Sequence, residues 1–554
     1  MDQPQNAHGH PPATPEFLEG YRMGFAVVAA AMAERIGLVE FLNARVPWDP
    51  RQCKISPGLR ILALIIGCLV DPRALYRLEE FYAELDCAVL FGAERQPQDF
   101  NDDAMGRALL KLFESQVGQT FAGLSQQAVE RLGLPASATA HADTTTITLY
   151  GQYPDQDAGS LPAYGYNKDG HPECKQLVAG VVARADGIPV DLDVCDGNMD
   201  DPTWTRDALL SQGRALLPEI RSQILFVADS KLLSHGTVAD LCEADIYFVS
   251  RLPNSFGLER ETKVAAAAAG DWVSAGSLSS RHESATYRVW ETPGQVGNQT
   301  VRLVVVHSSA LEAKAQARES ARVADDAKRL DQAIQHWARR RFACREDALA
   351  AWETWSRTKW VREAAWTVTH KAQELSQPDG TSQWQVVVTR VAPATEVLAV
   401  ERFRRSTFIL VSNDPRRTAR ELLQAYKTQF VVEQDNALIK GPLAIAPLFL
   451  KDTKKITAYV YVVYMALLLW RCMQAVMRQN QQRWGMSLPY PHKVLQPAPT
   501  TKRLKEIVTP IQVIHWRDGA GRLHRSRSEL TIVQRQALLL VGVDSRRFTQ
   551  IPAG

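Results

Sequence analysis

The feature that most constrains the fold is a change of texture at Ala138. Before it, apolar residues recur at helical spacing. After it, residues 140–150, 176–184 and 189–195 are short runs rich in Val, Ile and Thr, separated by Gly, Asp or Pro. Such runs predict three consecutive strands, with Asp186–Gly187 as a tight turn between the second and third. Residues 203–217 then read as a helix, 224–228 as a buried strand, 232–243 as a helix and 246–250 as a strand. Three meandering strands followed by a helix–strand–helix–strand series predict an α/β layout with a mixed sheet.

This core is interrupted. Residues 254–404 hold strand-like pieces at 285–291, 300–307 and 384–391 and a long helical stretch, broken or bent in places, at 311–374. The apolar strand type resumes at 406–411, and 419–439 is helical. The organisation expected is a disordered tail (1–15), an all-helical domain (16–132), the first part of an α/β core (133–253), a mixed α/β insertion (254–404), the second core part (405–485) and a basic C-terminal region (486–554). Ser56 followed by Pro57 is an N-cap and first-turn pair for the helix at 59–70.

Charge follows the same division. Residues 451–554 carry 17 Lys and Arg against 5 Asp and Glu, a net of +12, whereas residues 1–450 carry 47 against 56, a net of −9. Clusters at Lys502, Arg503 and Lys505, at Arg522, Arg525 and Arg527, and at Arg546 and Arg547, with Trp516 and His524 between, suit either a phosphate-tracking surface or a solvated face. The eight cysteines form no CxxC pair, which argues against a zinc knuckle and a disulfide framework. The apolar stretch 456–470 has only fifteen residues before Arg471, against ~20 for a membrane span, so a buried core helix is expected.

Three acids stand out. Asp143 lies in the first strand, within the polar run from His141 to Thr146, where alternation places it on one face with Thr145, Ile147 and Leu149; a solvated Asp on an edge strand would explain it equally. Asp229 directly follows the strand at 224–228, where functional groups of open sheets gather, although it could simply cap the next helix. Glu433 shares one helical stripe with Tyr426, Gln429 and Lys440, and an exposed helical Glu needs no function. Asp196, Asp200, Asp201, Glu421 and Asp435 are rivals that periodicity leaves open. Gathered carboxylates suit Mg²⁺, and two such ions suit phosphodiester chemistry. No GxxxxGK[ST], HExxH or GxSxG motif is present.

Together these motifs resemble a bacterial insertion-sequence transposase of the DDE type, in the branch whose ribonuclease-H-like core is split between the second Asp and the Glu. The resemblance rests on Asp143-Thr144-Thr145 followed by Tyr150-Gly151 and by Gly165-Tyr166-Asn167-Lys168-Asp169-Gly170-His171-Pro172. It rests also on Val227-Ala228-Asp229-Ser230-Lys231, and on the helix signature Tyr, Arg, Glu, Lys, here Tyr426, Gln429, Glu433 and Lys440 with Gln in the Arg position. The acids are 86 and 204 residues apart, which fits a large insertion. The resemblance implies that Asp143, Asp229 and Glu433 are the catalytic and metal-binding residues, holding two Mg²⁺ ions that Mn²⁺ can replace. It implies DNA contacts from Tyr426, Gln429, Lys440, Lys168 and Lys231, with double-stranded DNA at transposon ends and target as partner. A homodimer in the synaptic complex, no membrane, and a cytoplasmic, nucleoid-associated location follow from it. The activity implied is strand cleavage followed by 3′-hydroxyl strand transfer, in related enzymes through a DNA hairpin. Gln429 leaves two alternatives open: an inactive, transposase-derived DNA-binding protein, or a nuclease that cuts without joining. Trp352, Trp355, Trp360 and Trp366 in the insertion suit either a helical core or stacking on a flipped base.

Overall fold

In a computed structural model of the chain, residues 16–153, 161–278, 285–378, 381–441, 443, 450–489 and 498–552 are described; the expected tail, 1–15, lies outside them. The chain divides into two units, one of Met1–Ala228, Glu243–Ile246 and Lys427–Gly554, the other of Asp229–Cys242 and Tyr247–Tyr426. In chain order the first unit supplies strands β1 (Glu16–Arg22), β2 (Thr139–Thr148), β3 (Gln176–Arg184), β4 (Pro189–Asp196) and β5 (Leu225–Val227). The second supplies β6 (Tyr247–Arg251), β7 (Val273–Ser277), β8 (Thr286–Val296), β9 (Gln299–Ser308), β10 (Trp366–Ser376), β11 (Ser382–Pro393) and β12 (Thr407–Ser412). β13 (Gln512–Arg517) and β14 (Leu523–Arg527) belong to the first again.

In the first unit the strands run in the order β4-β3-β2-β5. β2, β3 and β4 form an antiparallel meander, and β5 lies parallel to β2 with His141 opposite Val227. β2 therefore has a neighbour on both sides, which removes the edge-strand explanation of Asp143. All nine residues of β3 are buried, as expected where both faces of a strand are covered. On one face the helix Asp201–Ala215 packs its Trp204 flat against Gly180, where any side chain would collide with the indole. On the other, Ile147, Leu149, Val181 and Leu192 join the apolar side chains of the helix Thr453–Trp484 in one core. That helix is long and apolar enough to cross a membrane, yet 94% of its apolar window is buried inside the protein. It is the central helix against which the N-terminal helices Gly24–Ile36, Pro57–Val70 and Asp102–Glu114 pack. Ser56 caps Pro57–Val70 by accepting from Leu59 N at 3.2 Å, as its sequence anticipates.

The N-terminal region is not wholly helical. Residues 16–22 form β1, which pairs antiparallel with β13, and β13 pairs with β14. The partner lies almost five hundred residues away in sequence, so no local pattern reveals it. Asp86 fastens the same junction: its carboxylate caps the helix Cys87–Phe91 and accepts from His515 Nε2 and Arg525 Nε, both at 2.6 Å. The basic C-terminal region is thus folded into the core of this unit. Lys505 donates to the Leu69 and Val70 carbonyls, Arg547 pairs with Glu34 and donates to the Val89 carbonyl, and Arg522 and Arg546 pair with Asp518 and Asp544. Lys505, Arg525 and Arg547 are held by the fold, whereas Lys502, Arg522 and Arg546 are exposed.

In the second unit the strand order is β6-β12-β9-β8-β7, antiparallel throughout. A separate hairpin, β10–β11, covers the helices Ser309–Arg339 and Arg345–Ser356. Two helical expectations are corrected here. Residues 366–374 form β10, whose alternation is masked by Ala, Lys and Glu. The helix expected over 419–439 is two, Ala419–Lys427 and Phe430–Lys440, separated at Thr428 and Gln429. The Trp group is a core: Trp337 and Trp352 are buried with Val386 and Val388. Trp355 packs on both, Arg329 covers Trp360, and the Trp366 indole donates to the Val323 carbonyl at 2.8 Å. The side chains are engaged by their neighbours, as the core alternative expects.

Candidate active site

The two faces of β2 carry different chemistry. Thr144 points toward the helix Asp201–Ala215, where its hydroxyl donates to Asp201 Oδ1 at 2.6 Å. Lys168 completes this side, donating to Thr144 O and Oγ1, both at 2.9 Å, and pairing with Asp201 at 3.0 Å. Asp143 points the other way, toward the helix Phe430–Lys440. Its Oδ2 accepts from Asn436 Nδ2 at 3.0 Å, and its Oδ1 from Thr144 N at 2.9 Å. Asn436 stands one helical turn after Glu433, on the stripe that continues to Lys440. Glu433 itself is exposed.

Buried polar side chains surround Asp143. His141, two residues earlier on the same face, is fully buried; burial pushes its pKa down to about 4, and its Nε2 meets the Thr428 hydroxyl at 3.1 Å. Tyr464, on the central helix, is fully buried, and burial raises its pKa, with Asp435 and then Asp143 adding to the rise. Asn436 Oδ1, Tyr464 Oη and His141 Nδ1 are buried without a hydrogen-bond partner, an arrangement that folded proteins rarely keep without a reason.

Asp229 begins the second unit. It is the second residue after Val227, as Asp143 is the second after His141, the residue paired with Val227. Its side chain accepts from Lys231 N at 2.9 Å and caps the short helix Ser230–Leu232, while its carbonyl accepts from Ser250 Oγ at 2.6 Å. The capping explanation therefore holds for Asp229 in this state. Among the described residues no three His, Cys, Asp or Glu side chains are gathered as a metal site.

The other expected site residues divide similarly. Lys440 pairs with Asp169 at 2.6 Å. Gln429 is buried at the helix break, and Tyr426 packs its ring 6.2 Å from Phe408. Lys231 is exposed. Four of the rival acids have structural partners: Asp200 caps its helix, Asp201 takes Lys168, Glu421 accepts from Thr418, and Asp435 is buried against Arg471. Burial raises the Asp435 carboxyl to about 7 despite Arg471. Asp196 ends β4, two strands away from β2.

Sequence reasoning missed two features. One is Asn436, although its position three residues after Glu433 and four before Lys440 was legible as a helical stripe. The other is a cavity of about 690 Å³ in the second unit, lined by Arg251, Lys263, Arg318, Arg322, Arg404 and Arg405 against Glu259, Glu363 and Glu401. Lys263 is held by Glu259, and Glu401 pairs with Arg322 and Arg405. Arg251, Arg318 and Arg404 carry no ion pair among the described residues. Their residues come from β6 and two helices far apart in sequence, so no charge run announces the cluster.

A family model described as "Transposase DDE domain" matches residues 141–469, more than half of the chain. The chain belongs to the DDE transposase family. Its match opens on the strand that carries Asp143 and spans Asp229 and Glu433. The mixed sheet of β2–β5 with its flanking helices is the ribonuclease-H-like core of this transposase, preceded by a helical N-terminal region. A second model, "Domain of unknown function (DUF4277)", matches residues 21–126. No curated protein matches the transposase.

Proposed function

We propose that this transposase acts on the ends of an insertion sequence, cutting DNA strands and joining the freed 3′-hydroxyl to a target, with Asp143, Asp229 and Glu433 as its metal-binding carboxylates. The observation that carries the reading is Asp143: a carboxylate on a central strand, held by a neutral amide from the helix of Glu433, in a chain of the DDE family. The oxygen-only donor set fits a hard divalent cation such as Mg²⁺, or Mn²⁺ in its place. When bound, two such ions supply an activated water or hydroxyl and a stabilised leaving oxygen. Glu433 is exposed.

The unpaired Arg251, Arg318 and Arg404 of the second-unit cleft bind the DNA backbone without reading sequence. Tyr426, Gln429, Lys440, Lys168 and Lys231 are secondary contacts; Lys168 and Lys440 must first leave Asp201 and Asp169. The working species is a homodimer that cuts two ends together, in the bacterial cytoplasm at the nucleoid.

The test is Mg²⁺-dependent cleavage of a labelled duplex carrying the element's terminal repeat, wild type beside Glu433→Ala. Cutting by the wild type alone, leaving a 3′-hydroxyl or a hairpin, is the expected result. Repeat binding without cutting by either protein would sink the reading in favour of a binding-only descendant, and cutting without joining would favour a simple nuclease.

A further inference from the structure

We propose that the open face of the β1–β13–β14 sheet binds single-stranded DNA by stacking a base on Trp516 beside Phe17. The inference needs a chain that acts on DNA, as a DDE transposase does, and does not depend on which carboxylates hold metal. Register and alternation define the face. Glu19, Tyr21, His515 and Arg525 lie on the side of Asp86: His515 and Arg525 donate to it, and the Tyr21 ring is 5.0 Å from His515. Phe17, Trp516 and His524 are cross-strand partners in one row on the other side. Phe17 is 65% exposed, and Trp516 and His524 are half-buried.

Three features suit an unpaired strand. The Trp516 and His524 rings are stacked, 4.5 Å apart and 17° from parallel, and His524 Nε2 donates to Asp518 Oδ2 at 2.8 Å, so the stack is fixed before a ligand arrives. His524 covers one face of the indole; the other turns toward β1, where Phe17 makes no ring contact among the described residues. A base continues the stack there. The next row along the sheet is Gly20, Ile514 and Ser526, whose two small residues leave room for a sugar. Arg22, opposite Gln512 on the same face, and Arg517, at the end of β13, are exposed and carry no ion pair among the described residues, against the exposed Glu16. Cations spaced around aromatic rings suit a phosphate backbone whose bases turn inward. A duplex would meet the cations but not the rings, because its base faces are already stacked on one another.

The experiment measures binding of a fluorescein-labelled oligothymidylate, and of a duplex of equal length, to the full-length protein in EDTA. Wild type, Trp516→Ala, Trp516→Phe and Phe17→Ala are compared, with thermal melting of each in parallel. Trp516→Ala is expected to weaken oligonucleotide binding about 10- to 100-fold and Phe17→Ala several-fold, while Trp516→Phe keeps most of it and all three hold the duplex within about twofold of wild type. Phe17→Ala removes an exposed ring from an edge strand, so it reads the site should Trp516→Ala fail to fold. The proposal is overturned if wild type does not bind the oligonucleotide. It is overturned equally by unchanged binding in Trp516→Ala, or in Phe17→Ala where Trp516→Ala is unfolded, and by equal weakening for single strand and duplex. A second copy of the chain is the rival occupant: a dimer in sedimentation that dissociates in Trp516→Ala, without single-strand binding, would give the face to it. Because EDTA removes metal, the result stands apart from the cleavage reading; single-strand binding without Mg²⁺-dependent cutting would sink that reading alone.

Discussion

The two faces of β2 present the same functional group in opposite company. Asp201, reached by Thr144 on one face, pairs with the Lys168 ammonium; Asp143, on the other, accepts from the Asn436 amide. The same division recurs through the first unit, where Asp435 takes Arg471 and Asp86 takes Arg525. A carboxylate with a built-in cation is finished electrostatically and serves the fold. The basic residues obey the converse rule: Arg525 and Arg547 are consumed by the fold, whereas Arg318 and Arg404 of the second-unit cleft carry no ion pair among the described residues.

The sharpest way to break this comparison is to exchange charge for amide on each face. Asp143→Asn should lower strand cleavage on the order of 10³-fold or more, the loss of several kcal/mol of metal-assisted stabilisation, with repeat binding intact. Asp201→Asn should leave cleavage within a few fold and lower stability by about 1 kcal/mol, since its partly exposed pair with Lys168 is screened. Equal loss of cleavage in both variants would show that the two faces do not differ as argued.

Asp435→Ala tests the structural class. It leaves Arg471 buried and unpaired and should cost about 3–5 kcal/mol in urea unfolding. Asp435 is a rival acid in the sequence, and its buried pair with Arg471 gives it a part in stability. An unchanged urea midpoint would count against a structural role for the pair.

Asp86 adds a pH dependence. Burial raises its pKa, but Arg525 and His515 outweigh burial, so the net shift is downward. A depressed carboxylate contributes stability above its unfolded pKa and loses it as the pH falls through the folded value. Wild type should therefore exceed Asp86→Asn most at neutral pH, by about 1.5–3 kcal/mol for hydrogen bonds to a charged group. The gap should close as the pH falls below about 4, followed by urea midpoints across pH.

The smallest effect belongs to the cations. Replacing Arg318 and Arg404 with Ala should weaken binding to any duplex and reduce the salt slope of log K by about 2. Arg522→Ala and Arg546→Ala, each already paired with an Asp, should change it little. A larger change from the second pair would return the DNA surface to the C-terminal region.

Much of the core was legible because its strands are local in composition. β3 and β4 fall where Val-rich runs between Gly, Asp and Pro place them, and Ser56-Pro57 starts its helix as expected. The misses share one cause. β1 depends on a partner at the opposite end of the chain and β10 on a covering helix. The break at Thr428 and Gln429 accompanies a contact between Thr428 and buried His141, again non-local.

The sequence by itself determined the elements and the candidate acids, because side-chain periodicity and the ends of strands are properties of short segments. It also determined the family, through an ordered set of motifs. Only the tertiary structure decided which charges are free. Lys168 and Lys440, both expected at DNA, are tied to Asp201 and Asp169, and Asp143 accepts from Asn436. A charge is cancelled by whatever lies within a few ångströms of it, and in a folded chain those neighbours come from segments that the linear order keeps far apart.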